Sequence, residues 1–299
     1  MNRTKSWWNK YGNGLFFISF WLVLFVLFTI IPILASVGLS FTNFDMIQTP
    51  KLIGVDNYIR MFLDDEVFFK SLSNTFLFAI ITGPAGYLLC FVLAWFINDT
   101  GRLTRSFLTF LFYSPTLVGS VYTMWMYVFS GDSYGLINSV LLKMGILSGP
   151  IQWLTDADYS FIVVVVVVLW MSMGTGFLSF VAGFKQLNSS YFEAASIDGI
   201  RNRWQELWYI TLPQMRPQLL IGAISTISGS LAIGAQSALL TGMPSTDYST
   251  HTLVLHVTDS AHTRLDMGYA CAVAVVLFLI MIVTWKAISK LINVVAPSA

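Results

Sequence analysis

Three histidines and one aspartate lie close together in the last third of the sequence and are the side chains best suited to metal binding or acid–base catalysis. They are His251, His256, Asp259 and His262. Histidine is a common metal ligand and titrates near neutral pH. Spacings of five and six residues, however, do not place the three rings on one face of a helix. We therefore expect three unligated loop histidines and no catalysis, with a membrane enzyme kept as an alternative.

Nucleotide hydrolysis would need a phosphate-binding loop of the form G-x-x-x-x-G-K-[ST], and the sequence contains none. If the protein moves a solute uphill, the energy therefore comes from another polypeptide, and we expect no cofactor on this chain. Cys90 and Cys271 each lie in a long apolar run without histidine or cysteine neighbours. Such isolated thiols are typical of packing residues, so neither a disulfide nor a metal site is expected.

Neutral polar side chains are concentrated in one apolar run, IGAISTISGSLAIGAQSALLTG. Close helix packing would account for its small residues, but the same hydroxyls and amide suit the wall of a pathway for a hydroxyl-rich solute, and the glycines would allow the helix to break or bend. An amide in lipid needs a partner, so Gln236 is the leading candidate. Aromatic rings elsewhere could stack on a sugar ring or serve only as core residues. The pathway candidates are Ser228, Ser230, Gln236, Tyr122 and Trp170.

The elements that must position these residues are membrane helices. Of the 299 residues, 56% are hydrophobic and 10% are charged, against about 25% charged in a soluble domain. Six windows free of Asp, Glu, Lys and Arg are each about as long as the roughly 20 residues that cross a bilayer as a helix. We predict an all-α integral membrane protein with a single permease domain over 1–299. Its six transmembrane helices are predicted at about 14–41, 75–97, 106–130, 160–183, 217–242 and 267–288.

The run FIVVVVVVLW, from Phe161 to Trp170, has the β-branched composition of a strand. It continues without a charge to a length that spans the membrane, and a lone strand in lipid would leave its backbone unpaired. A helix is therefore predicted. Apart from Lys286 near the cytoplasmic end of the sixth span, the sequence carries no Asp, Glu, Lys, Arg or His residue within these spans, which argues against a proton-coupled transporter.

The basic residues predict the orientation. With the N-terminus in the cytoplasm, eleven of the 16 Lys and Arg residues fall in inside segments, as the positive-inside rule requires. Both termini are then cytoplasmic. The net charge of +1 gives no basic face for nucleic acid, and membrane lipid is the expected surrounding.

A polar insert, EAASIDGIRNRWQELWYITLP, lies between the fourth and fifth predicted spans. Ser190 and Glu193 have capping-box spacing, so a helix is expected to start near Tyr191 and to end at Asp198-Gly199. A second helix is expected to begin at Asn202. Its apolar face would comprise Trp204, Leu207, Trp208 and Thr211. This helix–turn–helix favours either docking in another protein's groove or lying on lipid headgroups.

The insert resembles the EAA motif of ABC importer permeases, with E-A-A at Glu193–Ala195, a glycine at Gly199 and I-x-L-P at Ile210–Pro213. Four stretches are similar to the maltose-type and multiple-sugar branch of that family. They are the W-Q-x-x-W inside the insert and, elsewhere in the chain, GVDNYIRMFLDDEVFFKSLSNTF, LLTGMP and DMGYACAVAVVLF. Ten residues separate Gly199 from Ile210, one more than the family's spacing. One extra helical residue rotates a face by roughly 100° unless a looser turn absorbs it.

The resemblance implies a type I ABC importer permease fold in a prokaryotic plasma membrane, with 190–213 as a cytoplasmic coupling loop. Implied partners are a second homologous permease subunit forming a heterodimer, two ATP-binding cassette subunits that hold ATP and Mg, an extracellular solute-binding protein and a sugar substrate. The residues implied to dock on the ATPase are Glu193, Ala194, Ala195, Asp198, Gly199, Leu212 and Pro213.

The function implied is a translocation pathway for a neutral sugar or oligosaccharide. A sugar-phosphate-like anion is a second possibility, if helix dipoles supply a positive field. A sodium-coupled secondary transporter of a neutral polar solute is a third. It should show an inverted internal repeat, and none is evident in the sequence.

Overall fold

The structure is a computed structural model that describes residues 18–119 and 121–295. The described residues form helices joined by short turns, with one isolated antiparallel bridge between Thr42 and Leu52. The first predicted span begins before residue 18, and that part lies outside the described residues. Contacts divide the chain into two units, one of residues up to Asp64 with Ser260–Val276, the other of Asp65–Asp259 with residues from Leu277 onward.

The first unit contains α1, Ile18–Leu39, which includes a π turn at Val26–Ile30, and α2, Asp56–Leu63. The side chain of Asn57 donates to the carbonyl oxygens of Ser40 and Thr42, both at 2.9 Å. Arg60 pairs with Asp266 at 2.7 Å and lies over the Tyr269 ring. These polar contacts tie α2 to the end of α1 and to the start of the last helix within this unit.

The second unit is built around α3, a 33-residue helix from Glu66 to Asn98. It begins nine residues before the predicted second span because Asp65 caps it, with Oδ1 accepting from the Phe68 amide at 2.9 Å. Pro84 lies inside it. At about 1.5 Å per residue a helix of this length is long enough to cross a bilayer and extend beyond it.

The remaining helices are described in chain order. They are α4 Arg102–Tyr113, α5 Val121–Val128, α6 Leu136–Lys143, α7 Ala157–Met171, α8 Thr175–Gln186, α9 Ser189–Ile197, α10 Arg203–Glu206, α11 Arg216–Leu231, α12 Ala235–Thr241, α13 Leu253–Thr258 and α14 Met267–Val295. The FIVVVVVVLW run lies in α7, so the helix prediction for it is confirmed.

Four of the described helical stretches are long and apolar enough to cross a membrane, and up to six are if each of two bent pairs forms one span. The α4 and α5 stretches are bent by 89° and α11 and α12 by 45°. Pro115 lies in a 3-10 turn at Ser114–Leu117, within the first bend, where a proline cannot continue the α-helical ladder. The third predicted span is therefore two helices, and the fifth is broken near Gly234.

Helices α3, α8 and α11 pack closely in the second unit. Phe180 of α8 is fully buried and makes edge contacts with Tyr87 and Phe91 of α3, with ring centroids 5.3 and 5.5 Å apart. On α11, a Cβ added to Gly222 would lie 2.4 Å from Cζ of Phe180. The absence of a side chain at Gly222 thus sets the distance between α8 and α11, as small residues do at membrane helix interfaces.

Replacing Gly222 with alanine should therefore destabilise the fold. The Phe180 ring cannot turn away because α3 packs against it, so we expect a loss of about 1–3 kcal/mol in the free energy of unfolding, typical of overpacked cores. Unfolding of the detergent-solubilised protein measures this loss. Gly229→Ala on the same helix is the matched control, since no described residue beyond the neighbouring helical backbone lies within 4 Å of an added Cβ there. Equal stability of the two variants would contradict the packing argument.

Candidate functional site

Helix α9 carries the EAA residues and begins at Ser189, two residues earlier than predicted. Asn188, in extended conformation, is its N-cap, and its Oδ1 accepts from the Ser190 amide at 3.1 Å. Ser190 lies inside the helix, so the predicted capping box at Ser190 and Glu193 is wrong. Asn188 caps as well as serine does and comes first along the chain.

The end of α9 agrees with its prediction. Gly199 has a φ of +95°, a conformation that side-chain-bearing residues adopt at a cost. The Asp198 amide donates to the Ala194 carbonyl at 3.1 Å and the Ile200 amide to the Ala195 carbonyl at 3.0 Å. This is the bonding of a glycine C-cap, which turns the chain sharply between α9 and α10.

The expected docking residues on and after α9 differ in their exposure to solvent. Glu193, Ala194, Asp198 and Gly199 are exposed, whereas Ala195 is only 8% exposed and lies against its own domain. Neighbouring helical residues are about 100° apart, so Ala194 faces outward while Ala195 packs inward in this structure. Beyond α10, Pro213 is exposed and Leu212 is half-buried against the core.

Sequence reasoning missed the most exposed apolar side chain of this loop, Ile197, which is 87% exposed. Its position beside Asp198-Gly199 places it at the tip of the helix–turn–helix. An apolar residue that follows the E-A-A triplet by two positions on a short exposed helix was the available signal. Together, Ala194, Ile197 and Gly199 form a small, mostly apolar surface bordered by the carboxylates of Glu193 and Asp198.

The second helix of the insert begins where predicted. Asn202 is the N-cap of α10, accepting from the Gln205 amide at 2.8 Å, and Gln205 Oε1 accepts from the Arg201 amide at 3.2 Å. Arg203 pairs with Asp99, at the end of α3, at 2.5 Å. Trp204 lies edge-on to Trp95 of α3 with centroids 5.2 Å apart. The helix is therefore attached to the end of α3.

The predicted apolar face of this helix is partly wrong. Leu207 and Thr211 are buried, but Trp204 and Trp208 are 64% and 63% exposed. For Trp208 the reason is a π turn at Leu207–Thr211, in which the chain winds more widely than in an α-helix; Trp204 precedes this turn. A π turn holds one extra residue, and the side chains buried within it and after it are Ile210, Thr211 and Met215. The turn overlaps the end of the segment that is one residue longer than the family's spacing.

Deleting Tyr209, which is 73% exposed within the π turn, should be tolerated. Removal of one residue converts the π turn to a regular α turn and leaves the flanking helix faces in phase. We expect transport within about threefold of the parent protein, a change of less than about 1 kcal/mol. Insertion of one alanine after Tyr209 is the matched change in the opposite direction and should abolish transport. Loss of transport in the deletion variant would show that the extra residue has a role of its own.

A second candidate region is a cavity of about 170 Å³ between α3, α7, α8, α11 and α12. None of its described lining residues carries a formal charge, and hydroxyls, one amide and glycines make up much of the wall. The lining residues are Thr82, Val168, Met171, Ser172, Gly174, Gly176, Ser225, Thr226, Gly229, Ser230, Ile233 and Gln236. Such a wall can exchange neutral hydrogen bonds with a polar solute.

The break between α11 and α12 forms one side of this cavity. At Gly234 the backbone leaves the helical conformation, with φ −154° and ψ −71°. Its amide donates to Gln236 Oε1 at 3.1 Å, and the Ile233 carbonyl accepts from the Thr252 hydroxyl at 2.6 Å. Non-helical backbone at membrane depth requires such partners. The expected break in the fifth span is therefore present, and side chains satisfy its backbone.

The cavity includes some of the predicted pathway residues and excludes others. Ser230 and Gln236 line it, whereas Tyr122 lies outside its described wall, next to Gln236. Ser228 instead faces α14, near Met281 and Trp285. Residues two apart on a helix differ by about 200°, so Ser228 and Ser230 cannot share a face.

Trp170 is outside the cavity wall and lies edge-on to Trp125. Thr82 and Ser172, from α3 and the α7–α8 break, line the cavity and were not anticipated. Ser172, two residues before Gly174 in a predicted span, offered a signal for a second helix break, whereas Thr82 on the long helix α3 offered none.

The histidines differ in part from the expectation of three loop residues, because His256 lies in α13 and His262 in a π turn. His251 and His256 are fully buried, with ring centroids 6.0 Å apart. His256 Nε2 lies 3.1 Å from Asp65 Oδ2, while His262 is exposed. A histidine beside an acid 191 positions away in the sequence cannot be recognised from local spacing. The two cysteines are free thiols, Cys90 buried and Cys271 half-buried.

Comparison with known proteins gives a consistent result along most of the chain. Residues 84–288 match the sequence profile of a family described as "Binding-protein-dependent transport system inner membrane component". The probable ABC transporter permease protein YesP of Bacillus subtilis (strain 168) is 34% identical, over 94% of this chain and 90% of YesP. The lactose transport system permease protein LacF of Rhizobium radiobacter is 29% identical, over 91% of each chain.

A crystal structure of a bacterial ABC transporter involved in the import of the acidic polysaccharide alginate contains a chain with a similar fold. The TM-score is 0.79 at 19% sequence identity, over 96% of this chain and 98% of that one. At this identity the likeness concerns the fold alone, and it extends over nearly the whole of both chains.

Proposed function

The chain belongs to the family of binding-protein-dependent transport system inner membrane components. From that premise we propose that it forms the translocation pathway for a neutral sugar or oligosaccharide in an ATP-driven importer. Membership confirms the expected class, an ABC transporter permease, and the expected location in the cell membrane. The all-α importer permease fold expected from the sequence is likewise confirmed.

The observation that carries the substrate proposal is the uncharged cavity lined by hydroxyls and the Gln236 amide. A sugar presents hydroxyl donors and acceptors to such a wall, and a site built to hydrogen bond a hydroxyl discriminates strongly against analogues that lack it. LacF, whose name gives lactose as its transported sugar, supports the same substrate class. An anionic substrate would need a positive field, and the described lining residues supply no cation.

The coupling proposal concerns the tip of α9. Its exposed Ala194, Ile197 and Gly199 would lie in a cleft of an ATP-binding cassette subunit, with small side chains allowing close approach. Two such subunits would hold ATP and Mg, and a second homologous permease would complete the pathway as a heterodimer. The ion pair Arg203–Asp99 and the Trp204–Trp95 contact attach the loop to α3. Movement of the tip would therefore reach a helix that lines the cavity.

The remaining parts of the proposal follow from charge and family. Eleven of the 16 basic residues lie on the side of the α9 loop if both termini are cytoplasmic, in agreement with the positive-inside rule. The opposite surface would then receive sugar from an external binding protein. This chain would supply no ATPase site of its own.

Uptake into proteoliposomes tests the proposal. The full-length chain, purified with its associated subunits and supplied with the binding protein, is assayed with ATP enclosed and with labelled neutral disaccharides. We expect uptake that requires ATP and persists when the sodium gradient is dissipated. An anionic uronate oligosaccharide serves as the comparison substrate. Uptake driven by sodium without ATP, or uptake of the anion alone, would contradict the proposal.

A further inference from the structure

The segment between α12 and α13 folds into the second unit. Thr250, His251, Thr252 and Leu253 are each at most 1% exposed, although the sequence predicted an outer loop here. We call residues 245–258, which comprise most of this connection and the short helix α13, the outer segment. A buried segment that is not a regular helix must find partners for its backbone groups, so its contacts show which elements hold it.

Helix α3 provides partners for three backbone groups of the outer segment. The Asn74 amide nitrogen donates to the carbonyl oxygens of Tyr248 at 2.8 Å and His251 at 2.9 Å. The Thr75 hydroxyl accepts from the Leu253 amide at 2.9 Å. Asn74 and Thr75 are themselves buried. The middle of the outer segment is therefore fixed to α3 by hydrogen bonds away from water.

Asp65, at the start of α3, holds the end of the outer segment. Its Oδ1 accepts from the Phe68 amide and caps the helix, while its Oδ2 lies 3.1 Å from Nε2 of His256. The side chains of His256 and Asp65 are 0% and 10% exposed. A buried carboxylate–imidazole hydrogen bond is stronger than a neutral one, and removal of one partner leaves the other buried and unpaired.

The outer segment also supports the helix break at the cavity. The Thr252 hydroxyl donates to the Ile233 carbonyl at 2.6 Å, and Ile233 lines the cavity. Val254 packs so closely on the break that a Cβ added to Gly234 would lie 2.4 Å from its Cγ1. The conformation of the break thus depends on where the outer segment lies.

We propose that Asp65 and His256 are positioning residues for transport: their contact anchors the outer segment to α3, and the outer segment, through Thr252, holds the broken helix that forms the cavity wall. Neither residue lines the cavity or touches the solute there. The inference rests on the proposed transport function, because sugar uptake is the activity that a displaced cavity wall would change.

The test uses the reconstituted importer with the full-length chain and measures labelled disaccharide transported per ATP hydrolysed. Loss of folded complex lowers disaccharide transport and ATP hydrolysis together, whereas a misplaced cavity wall lowers the amount of disaccharide transported per ATP hydrolysed. We expect His256→Leu to lower the ratio at least about tenfold. His256→Gln, which keeps a nitrogen donor for Asp65, should restore it to within about threefold of the parent protein. His262→Leu, at the exposed histidine of the same region, should leave the ratio unchanged.

A double variant tests the route to the cavity. Thr252→Val removes the hydroxyl that bonds Ile233 with little change of shape, and it should lower the same ratio. Because both changes act through the outer segment, combining Thr252→Val with His256→Leu should cost no more than the larger single change. If His256→Leu fails to assemble, Thr252→Val alone still tests the inference, because a parental ratio in that variant would show that the outer segment does not hold the cavity wall.

Three results would overturn the inference. The first is a parental ratio in His256→Leu, and the second is a fall in complex yield with that ratio unchanged. The third is full additivity of the His256 and Thr252 changes. A parent importer that transports no sugar with ATP would instead count against the proposed function, which separates the two failures.

Discussion

Substitution of Gly199 by aspartate is expected to lower ATP-driven uptake about 100-fold while the membrane domain remains assembled. At the φ of +95° aspartate and asparagine are both tolerated better than other side chains, so the loss comes mainly from the carboxylate placed at the tip proposed to enter the ATPase cleft. Burying an unpaired charge there costs about 3–5 kcal/mol, more than the roughly 2.7 kcal/mol that a 100-fold loss requires. Apart from its chain neighbours, no described residue lies within 4 Å of the added Cβ, so the change should not disturb the packing of this chain.

Uptake and ATPase activity of the reconstituted complex measure this effect, and two control variants separate its causes. Gly199→Asn tolerates the left-handed backbone and adds no charge, so it should retain most uptake. Gly101→Asp adds the same charge at an exposed glycine with a φ of −58°, in another turn on the side proposed as cytoplasmic, and should have no effect. Normal uptake by Gly199→Asp would exclude this glycine as part of the docking surface.

Replacement of Gln236 by leucine should lower the initial rate of sugar uptake by about 10- to 100-fold. The Gly234 amide loses its acceptor at 3.1 Å, and an unsatisfied buried donor costs about 1–3 kcal/mol. The cavity also loses the one amide among its described lining residues, a group that can both donate to and accept from a sugar hydroxyl. Transport of labelled disaccharide into proteoliposomes is the measurement.

Ser228→Ala is the matched control for this prediction, because Ser228 lies on the same helical run but faces α14 rather than the cavity. It should transport at the parental rate. If Gln236→Leu and Ser228→Ala behaved alike, the cavity would not be the pathway, and the role of Gln236 would be confined to helix packing.

Much of the fold could be predicted from the sequence because its signals are local. A bilayer requires long uncharged windows, and these windows identify the apolar helices. The C-cap at Gly199 and the N-cap at Asn202 follow from single residue types at helix ends. The break in the fifth span was expected from its glycines. In each case the physical cause lies within a few residues of its effect.

The rest depends on contacts between distant residues or on helix phase. The burial of His256 requires Asp65, and the exposure of Trp208 requires the π turn at Leu207–Thr211. Neither is encoded in a local spacing. The 100° helical step could have predicted that Ser228 and Ser230 point in different directions, and likewise Ala194 and Ala195. It could not have predicted which serine faces the cavity or which alanine faces solvent.

The central claim is that a separate ATPase drives this chain through the tip of α9, and a crosslinking purification tests it most directly. The full-length chain with Ala194→Cys is crosslinked in its native membrane, extracted in mild detergent and analysed by mass spectrometry, with the buried Ala195→Cys as the matched control. We expect a phosphate-loop ATPase crosslinked through position 194 and not 195, together with a second permease subunit in comparable amounts. Recovery of the chain alone or as a homo-oligomer, with no ATPase attached at position 194, would contradict the claim.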